Sequence, residues 1–169
     1  MTKVMRPLSC AFRWLHLWTV MILFGAILFE TLILYPNIFH QVPRSLENAM
    51  AFLVVGGPHD FFPPVGMAAL LTGIGVLIFN WRVQPVRYWL LAGLLLLLAG
   101  EFLFSMIYFW PRNTIMFEEG TALHSVATLE QVAIEFQRGH WFRVLGCFAV
   151  AACSLKAFLL LDRREHGLP

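Results

Sequence analysis

The stretch YWLLAGLLLLLAGEFLFSMIYFW, residues 88–110, is apolar for longer than the roughly 20 residues that a helix needs to cross the hydrocarbon core of a bilayer. Three further stretches meet the same criterion: residues 14–35, 61–81 and 141–161. Of the whole chain, 59% is hydrophobic and 13% is charged, against about 25% charged in soluble domains. The sequence therefore predicts an all-α integral membrane protein in which a four-helix bundle forms one domain over residues 1–169.

Two of these stretches contain a carboxylic acid within the apolar run, Glu30 in the first and Glu101 in the third. A charged side chain at the centre of a bilayer costs roughly 2.5–3.5 kcal/mol on insertion scales, so such acids face the bundle interior and find a partner or a proton there. We therefore expect Glu30 and Glu101 to belong to a functional site. A purely structural role, as a satisfied hydrogen-bonded pair, is the alternative.

Small and polar residues recur on each stretch in steps of three, four or seven, which predicts the face that each helix turns towards its neighbours. The predicted inward residues are His16, Thr19, Leu23, Ala26, Glu30, Gly66, Gly73, Asn80, Gly93, Leu97, Glu101, Ser105, Tyr108, His140, Arg143, Cys147 and Ser154. Such spacing is typical of a left-handed bundle. It places Glu30, Glu101 and Arg143 in the same half of the membrane, where we expect an ionic cluster.

Basic residues are unevenly distributed between the two sides that this topology defines. One side carries Lys3, Arg6, Arg13, Arg82, Arg87, Arg163 and Arg164, whereas the other carries Arg44, Arg112 and Arg138. Because short loops rich in Lys and Arg stay in the cytoplasm, we expect both termini to be cytoplasmic and the two acids to lie in the outer half of the membrane. A bacterial inner membrane fits this bias. We see no basic patch interleaved with aromatic residues, so no nucleic-acid partner is expected.

The two connections on the outer side are long and have helical patterns of their own. Residues 45–55 fit a short helix that ends at Gly56 and Gly57. Residues 121–138 have an amphipathic pattern, and Gly139 is expected to end this helix before the fourth span. We interpret the amphipathic helix as a lid over the mouth of the bundle, the alternative being a helix that lies flat on the lipid.

Four of the six histidines, His40, His59, His124 and His140, fall on the same outer side as the two acids. Histidine and carboxylate together suit transition metals such as iron, copper or zinc, and helical bundles hold such metals between facing helices. His59, His140, Glu30 and Glu101 are therefore the candidate metal ligands. The sequence has no Glu-x-x-His or His-x-x-x-His pair, so a site without any cofactor is the alternative.

A carboxylate in apolar surroundings also suits chemistry without a metal. It can remove a weakly acidic C–H or O–H proton from an aromatic substrate, with Arg143 or His140 stabilising the anion. Acids on two helices equally suit a small proton-coupled transporter. No thiol redox centre is expected, because Cys10, Cys147 and Cys153 form no CxxC pair.

Segments over most of the chain resemble the anthrone-oxygenase-like family of small four-span membrane proteins: GAILFETLILYPNIF, QVPRSL, GPHDFFPPVG, GEFLFSMIYFWPRNTIMF and EFQRGHWFRVLG. The most specific are the Pro-x-Asn motif ending at Asn113 and the Trp-x-Arg motif ending at Arg143. The resemblance implies an enzyme that uses dioxygen to turn an anthrone into an anthraquinone without an organic cofactor. The chain departs from the family pattern at His140, where Asn is expected, and in the extra acid Glu101, which favours another substrate or a metal-dependent variant.

The leading hypothesis is an oxygenase-like membrane oxidoreductase that acts on a small hydrophobic aromatic or quinone-like compound. In it, Glu30 and Glu101 serve as bases or metal ligands, and Asn113 and Arg143 hold the substrate or its oxyanion. The expected partners are the lipid bilayer and a small hydrophobic molecule, in a homo-oligomer or a larger membrane complex. The alternative is a non-enzymatic protein, either a small proton-coupled transporter or a structural membrane subunit.

Overall fold

Within residues 5–167, the part of the chain that the computed structural model describes, the secondary structure is helical and contains no strand. Among these described residues, four helices are long and apolar enough to cross a membrane: α1 (Pro7–Ile38), α3 (Pro58–Asn80), α4 (Gln84–Leu123) and α5 (Val126–His166). The short helix α2 (Arg44–Phe52) joins α1 to α3 where residues 45–55 predict one. The all-α bundle is confirmed, and the length and composition of its helices make the chain an integral membrane protein.

The four long helices pack side by side, with α1 against α3 and α5, and α4 against the same two helices. The termini end of the bundle holds the start of α1, the α3–α4 turn and the end of α5. There Arg13 donates to Glu165 at 2.9 Å, and Asn80 donates to Ser9 at 3.3 Å. The opposite, hairpin end holds α2 and the turn between α4 and α5. Of the basic residues used to predict the topology, Lys3 lies outside the described range.

Most of the residues predicted to face inwards are buried between helices. They are His16, Leu23, Glu30, Gly66, Gly73, Asn80, Gly93, Leu97, Glu101, His140, Cys147 and Ser154. Beyond Glu101 the predicted face is wrong, because Phe109 is the buried residue whereas Ser105 and Tyr108 are only half-buried. The helix therefore changes its phase between Glu101 and Phe109.

The change of phase comes from turns with the wide i to i+5 hydrogen-bond pattern of a π-helix. In the described residues such turns span Glu30–Leu34 in α1, and Leu97–Leu103, Ser105–Phe109 and Thr114–Glu119 in α4. For example, the Phe104 amide donates to the Ala99 carbonyl. A wide turn holds more residues than an α-turn and rotates the face that follows it, so three-and-four spacing fails there. Both buried acids lie in such turns, which occur frequently at functional sites.

The connection between the third and fourth spans differs from the prediction. Helix α4 continues beyond residue 110 to Leu123, and α5 begins at Val126. The Ser125 hydroxyl caps α5 by accepting the amide of Thr128 at 3.2 Å. Residues 126–138 are therefore the first turns of the same helix that forms the fourth span. They extend the helix beyond the membrane. A helix lying flat on lipid would require a break in α5, and α5 has none.

The hairpin tip, residues 110–138, packs in an apolar core that it shares with the end of α1 and with α2. This core contains Tyr35, Ile38, Phe39, Leu46, Phe109, Met116, Leu129, Val132, Ala133 and Phe136. It includes Leu46 of α2, so the connection between α1 and α3 covers one side of the hairpin. Of the apolar stripe that predicted an amphipathic helix, Leu129, Ala133 and Phe136 are buried against protein, whereas Ala122 and Val126 are exposed.

Gly139 is a packing contact and not the end of a helix. The ring of Tyr108 lies so close that a Cβ added at Gly139 would be 2.3 Å from Tyr108 Cε1. The Tyr108 hydroxyl donates to the carbonyl of Glu135 at 2.8 Å, which holds the ring in place. A glycine inside a helix costs about 1 kcal/mol relative to alanine, and the close packing of this ring offsets that cost.

Two glycines of α5 provide a matched test of this packing. Gly139→Ala is expected to lower the free energy of unfolding by about 1–3 kcal/mol, because Tyr108 must move. Gly146→Ala is expected to be neutral or to stabilise by up to about 1 kcal/mol, since a Cβ there meets nothing within 4 Å. Thermal unfolding of the detergent-purified variants gives both values, and equal effects would contradict the packing assigned to Gly139.

Candidate functional site

Glu101 and Arg143 form a buried ion pair between α4 and α5. Arg143 donates from Nη2 and Nε to Oε2 of Glu101, at 2.8 and 3.2 Å. The guanidinium carbon also lies over two aromatic rings, 5.4 Å from the centre of Phe62 and 5.1 Å from that of Phe109. These rings shield the pair from solvent and add cation–π attraction to the guanidinium.

Glu30 lies on α1 and is 3% exposed. Its Oε1 accepts a hydrogen bond from the hydroxyl of Tyr35 at 3.0 Å. In a regular α-helix, residues five apart point in different directions. The wide turn at Glu30–Leu34, in which the Tyr35 amide donates to the Glu30 carbonyl, puts the two side chains on the same side. The π-turn is therefore what makes this contact possible.

His140 is fully buried on α5, next to Thr31 of α1. Its Nδ1 lies 3.4 Å from Oγ1 of Thr31, and that hydroxyl already donates to the carbonyl of Ile27 at 2.8 Å. The hydroxyl can therefore only accept from His140, so Nδ1 carries the proton in this contact. In a neutral ring, Nε2 is then left as an acceptor.

We call this set the polar site. It consists of Glu30, Thr31, Tyr35, Glu101, His140 and Arg143. Aromatic contacts link its parts: the Tyr35 and His140 rings have centres 4.3 Å apart, and Phe109 lies 4.8 Å from His140 as well as under Arg143. The expected cluster of Glu30, Glu101 and Arg143 is thus brought together, with Arg143 bonded to Glu101 and not to Glu30.

Three side chains of the polar site have a buried polar atom without a hydrogen-bond partner: Oε2 of Glu30, Oε1 of Glu101 and Nε2 of His140. Oxygens of an ionised carboxylate only accept hydrogen bonds, and Nε2 of His140 is the unprotonated ring nitrogen, so all three atoms are acceptors. A buried polar group left unsatisfied costs about 1–3 kcal/mol. A molecule that donates hydrogen bonds at this site would remove that cost, so the site is suited to a hydroxyl-bearing ligand.

A groove leads from the bundle surface to Glu30. Its volume is about 300 Å³. It is lined by Ala26, Phe29, Glu30, Leu34, Leu53, Gly56, Gly57, Pro58, Phe61 and Phe62. Glu30 is the only charged residue among them, and Phe62 also contacts Arg143. The groove is therefore an apolar opening with a carboxylate at its wall and the ion pair behind it.

Two of the residues predicted for the site lie elsewhere. His59 is 81% exposed on the first turn of α3, where Nε2 is 3.2 Å from the Asp60 carboxylate. Asn113 is half-buried in the hairpin tip, twelve residues beyond Glu101 and so up to about 18 Å along the helix axis. Neither is part of the polar site.

The other two histidines expected on the outer side, His40 and His124, contact residues close to them in the sequence and not the polar site. His40 is exposed and contacts the carbonyl of Asn37, and His124 pairs with Glu119 in the hairpin tip. Among the described residues, no three His, Cys, Asp or Glu side chains are grouped so as to hold a metal ion.

Sequence reasoning missed Thr31 and Tyr35, which position His140 and Glu30. The signal was present in the apolar run, where a Thr and a Tyr follow the acid, but regular helical spacing turns both away from it. His16, predicted to face inwards, contacts the Ala69 carbonyl through Nδ1 at 3.1 Å and the Ser154 hydroxyl through Nε2 at 3.0 Å. Both ring nitrogens therefore have partners, and the ring connects three helices, which indicates a structural role.

Comparison of the chain with protein-family models, with curated proteins and with solved structures gives no match. The fold and the site nonetheless define a class. The chain is a four-span helical membrane protein with a buried acid–arginine–histidine site. An apolar groove opens this site to the surface of the bundle.

Proposed function

We propose that this protein is an oxygenase-like membrane oxidoreductase that acts on a small, flat aromatic compound with an acidic O–H or C–H group, such as an anthrone or a quinol. One observation carries the proposal: three unpartnered acceptors buried among aromatic rings. A hydroxyaromatic ligand suits this arrangement, because its hydroxyl donates to the acceptors and its ring packs on the apolar wall of the groove, where Phe61 and Phe62 lie near Glu30. The resemblance to the anthrone-oxygenase-like family agrees with this substrate class.

Glu30 is the base in this proposal. Its Oε1 is held by Tyr35, while Oε2 is free and Glu30 lies at the wall of the groove. A fixed carboxylate in an apolar setting takes a proton without first having to lose a water shell. His140 Nε2 is the second acceptor and receives the hydrogen bond of a substrate hydroxyl.

Arg143 stabilises the anion that forms when the substrate loses its proton. A guanidinium has five N–H donors, and Glu101 occupies only Nε and Nη2. A remaining donor is free for the oxyanion of the substrate. Glu101 holds the guanidinium in position, which makes it a positioning residue and not a second base.

Dioxygen is the electron acceptor for an anthrone. Glu30 removes one proton from the methylene carbon, and the carbanion forms a carbon–oxygen bond with dioxygen, giving a peroxide that takes up that proton. Loss of the second C–H proton with cleavage of the O–O bond yields the quinone carbonyl and hydroxide, which combines with this proton as water. One dioxygen is consumed and one water is released for each anthrone.

The charge distribution supports an orientation for this chemistry. The structure puts Arg13, Arg82, Arg163 and Arg164 at the termini end of the bundle. With the positive-inside rule, this end is cytoplasmic and the polar site lies in the outer half of the membrane. A bacterial inner membrane, with quinone-like molecules dissolved in its lipid, is the proposed location.

The proposal is tested with purified protein in lipid nanodiscs. We expect oxygen uptake and quinone formation in equal amounts when anthrone is added, and loss of both in Glu30→Gln. Metal analysis of the same sample shows whether iron, copper or zinc accompanies the activity. No turnover of anthrones or quinols by wild-type protein, with its metal content preserved, would refute the function.

A further inference from the structure

The segment that runs from the last residue of α2 to the start of α3, residues 52–57, is strongly apolar and largely exposed. The exposed fraction is 83% for Phe52, 80% for Val54 and 97% for Val55. The sequence contains no charged residue from Asn48 to Pro58. Removal of such side chains from water is favourable in proportion to the apolar area that is covered. The segment therefore needs an apolar environment that the rest of the described chain does not supply.

The position of this segment indicates what that environment is. Leu53, Gly56 and Gly57 form one wall of the groove, opposite Phe29 and Glu30 of α1. Glu30 lies eight residues before the end of α1, which is roughly 12 Å along the helix axis. Because the segment lines the same groove as Glu30, it reaches about as far down the helix. It runs beside the span and not above it.

The exposed surface next to the segment belongs to the spans. Phe29, Ile33 and Phe61 are 56%, 53% and 40% exposed on α1 and α3, where lipid chains cover them. The apolar segment continues this surface without a charged residue in between. At its far side, His59 and Asp60 pair with each other, which marks the level of the polar headgroups.

We infer that residues 52–57 insert into the bilayer at the boundary of headgroups and acyl chains, and form the wall of a lateral opening through which a lipid-dissolved aromatic molecule reaches Glu30. The first part concerns the bilayer as partner and stands by itself, whereas the second rests on the proposed function. A site entered from lipid selects substrates that partition into membranes, which agrees with its apolar lining.

The insertion is tested by the depth of a fluorophore. In a Cys10→Ser background, a cysteine at Val55 carries an NBD group in nanodiscs, with Ile33→Cys as the lipid-facing reference and Glu118→Cys as the water-facing one. We expect position 55 to be quenched by spin-labelled lipid like position 33, and to resist aqueous iodide. Quenching at position 55 that matches position 118 would overturn the insertion.

The lateral opening is tested by filling it. Ala26 lines the groove, whereas its neighbour Gly25 is exposed and a Cβ there meets nothing within 4 Å. Ala26→Phe is expected to raise the KM for anthrone in nanodiscs roughly tenfold or more, equivalent to about 1.4 kcal/mol, while Gly25→Phe leaves turnover at the wild-type level.

The outcomes separate the two proposals. If wild type and both variants turn over anthrone equally, the opening is refuted although the function stands. If wild type is inactive, the proposed function and the substrate path fail together, and the fluorophore still decides whether residues 52–57 insert.

Discussion

Arg143→Met is expected to destabilise the protein by about 3–5 kcal/mol, since it leaves the Glu101 carboxylate buried without its partner. The loss should appear as a large fall in the midpoint of thermal unfolding in detergent. It should be mostly reversed in Glu101→Gln/Arg143→Met, where no buried charge remains. A double variant as unstable as the single one would contradict the assignment of the loss to an unpaired charge.

A second ion pair of the same geometry gives the control. Arg112 donates to Oε2 of Glu135 from Nη2 at 2.7 Å and from Nε at 3.2 Å, almost as Arg143 does to Glu101. This pair is more exposed, with side-chain exposures of 22% and 34% against 11% and 6%. Pairs near the surface contribute about 0–1 kcal/mol, and Arg112 also donates from Nη1 to the Tyr108 carbonyl at 2.9 Å, so Arg112→Met should cost about 1–2 kcal/mol. Similar losses for the two arginines would refute the role given to burial.

Glu30→Gln is expected to reduce turnover of anthrone by roughly 10² to 10⁴-fold, which is the usual contribution of a general base. The amide oxygen still accepts from Tyr35, and the shape of the side chain is retained. The unfolding midpoint should therefore change little, while kcat falls and KM remains similar. Oxygen uptake in nanodiscs gives both kinetic constants.

Two variants control this result. Glu130 is exposed in the hairpin tip, so Glu130→Gln makes the same chemical change away from the polar site and should leave kcat unchanged. Tyr35→Phe keeps the ring next to His140 but removes the hydrogen bond to Glu30, and should lower kcat less than Glu30→Gln does. Full activity in Glu30→Gln would exclude Glu30 as the base.

Helical spacing in the sequence predicts the buried face of a helix correctly where the helix is regular. Gly66, Gly73 and Asn80 recur at intervals of seven on α3 and are all buried, because two turns of an α-helix hold about seven residues. The same reasoning failed on α4 beyond Glu101, since the wide turns there change the number of residues per turn. Nothing in the local composition indicates such a turn.

The end of a helix was harder to predict than its face. Glycine is the residue type expected at a helix end, yet α5 continues through Gly139. The glycine is needed there because the ring of Tyr108 on α4 occupies the space of a side chain. The decisive contact comes from a residue on another helix. The extension of α4 and α5 into one hairpin, and the loss of a separate lid, follow from the same contacts.

The sequence by itself determined that this protein is a four-span helical bundle and that Glu30, Glu101 and Arg143 lie in its interior. The length of the apolar stretches and their helical periodicity are sufficient for both conclusions, since charged side chains within a membrane span face the interior of the bundle and not the lipid. Only the tertiary structure decided which groups are paired and which are free. Arg143 pairs with one oxygen of Glu101, Tyr35 donates to Glu30 across a π-turn, and Nε2 of His140 has no partner. Such pairings depend on the rotation of each helix against its neighbours, which the wide turns set and local sequence does not reveal.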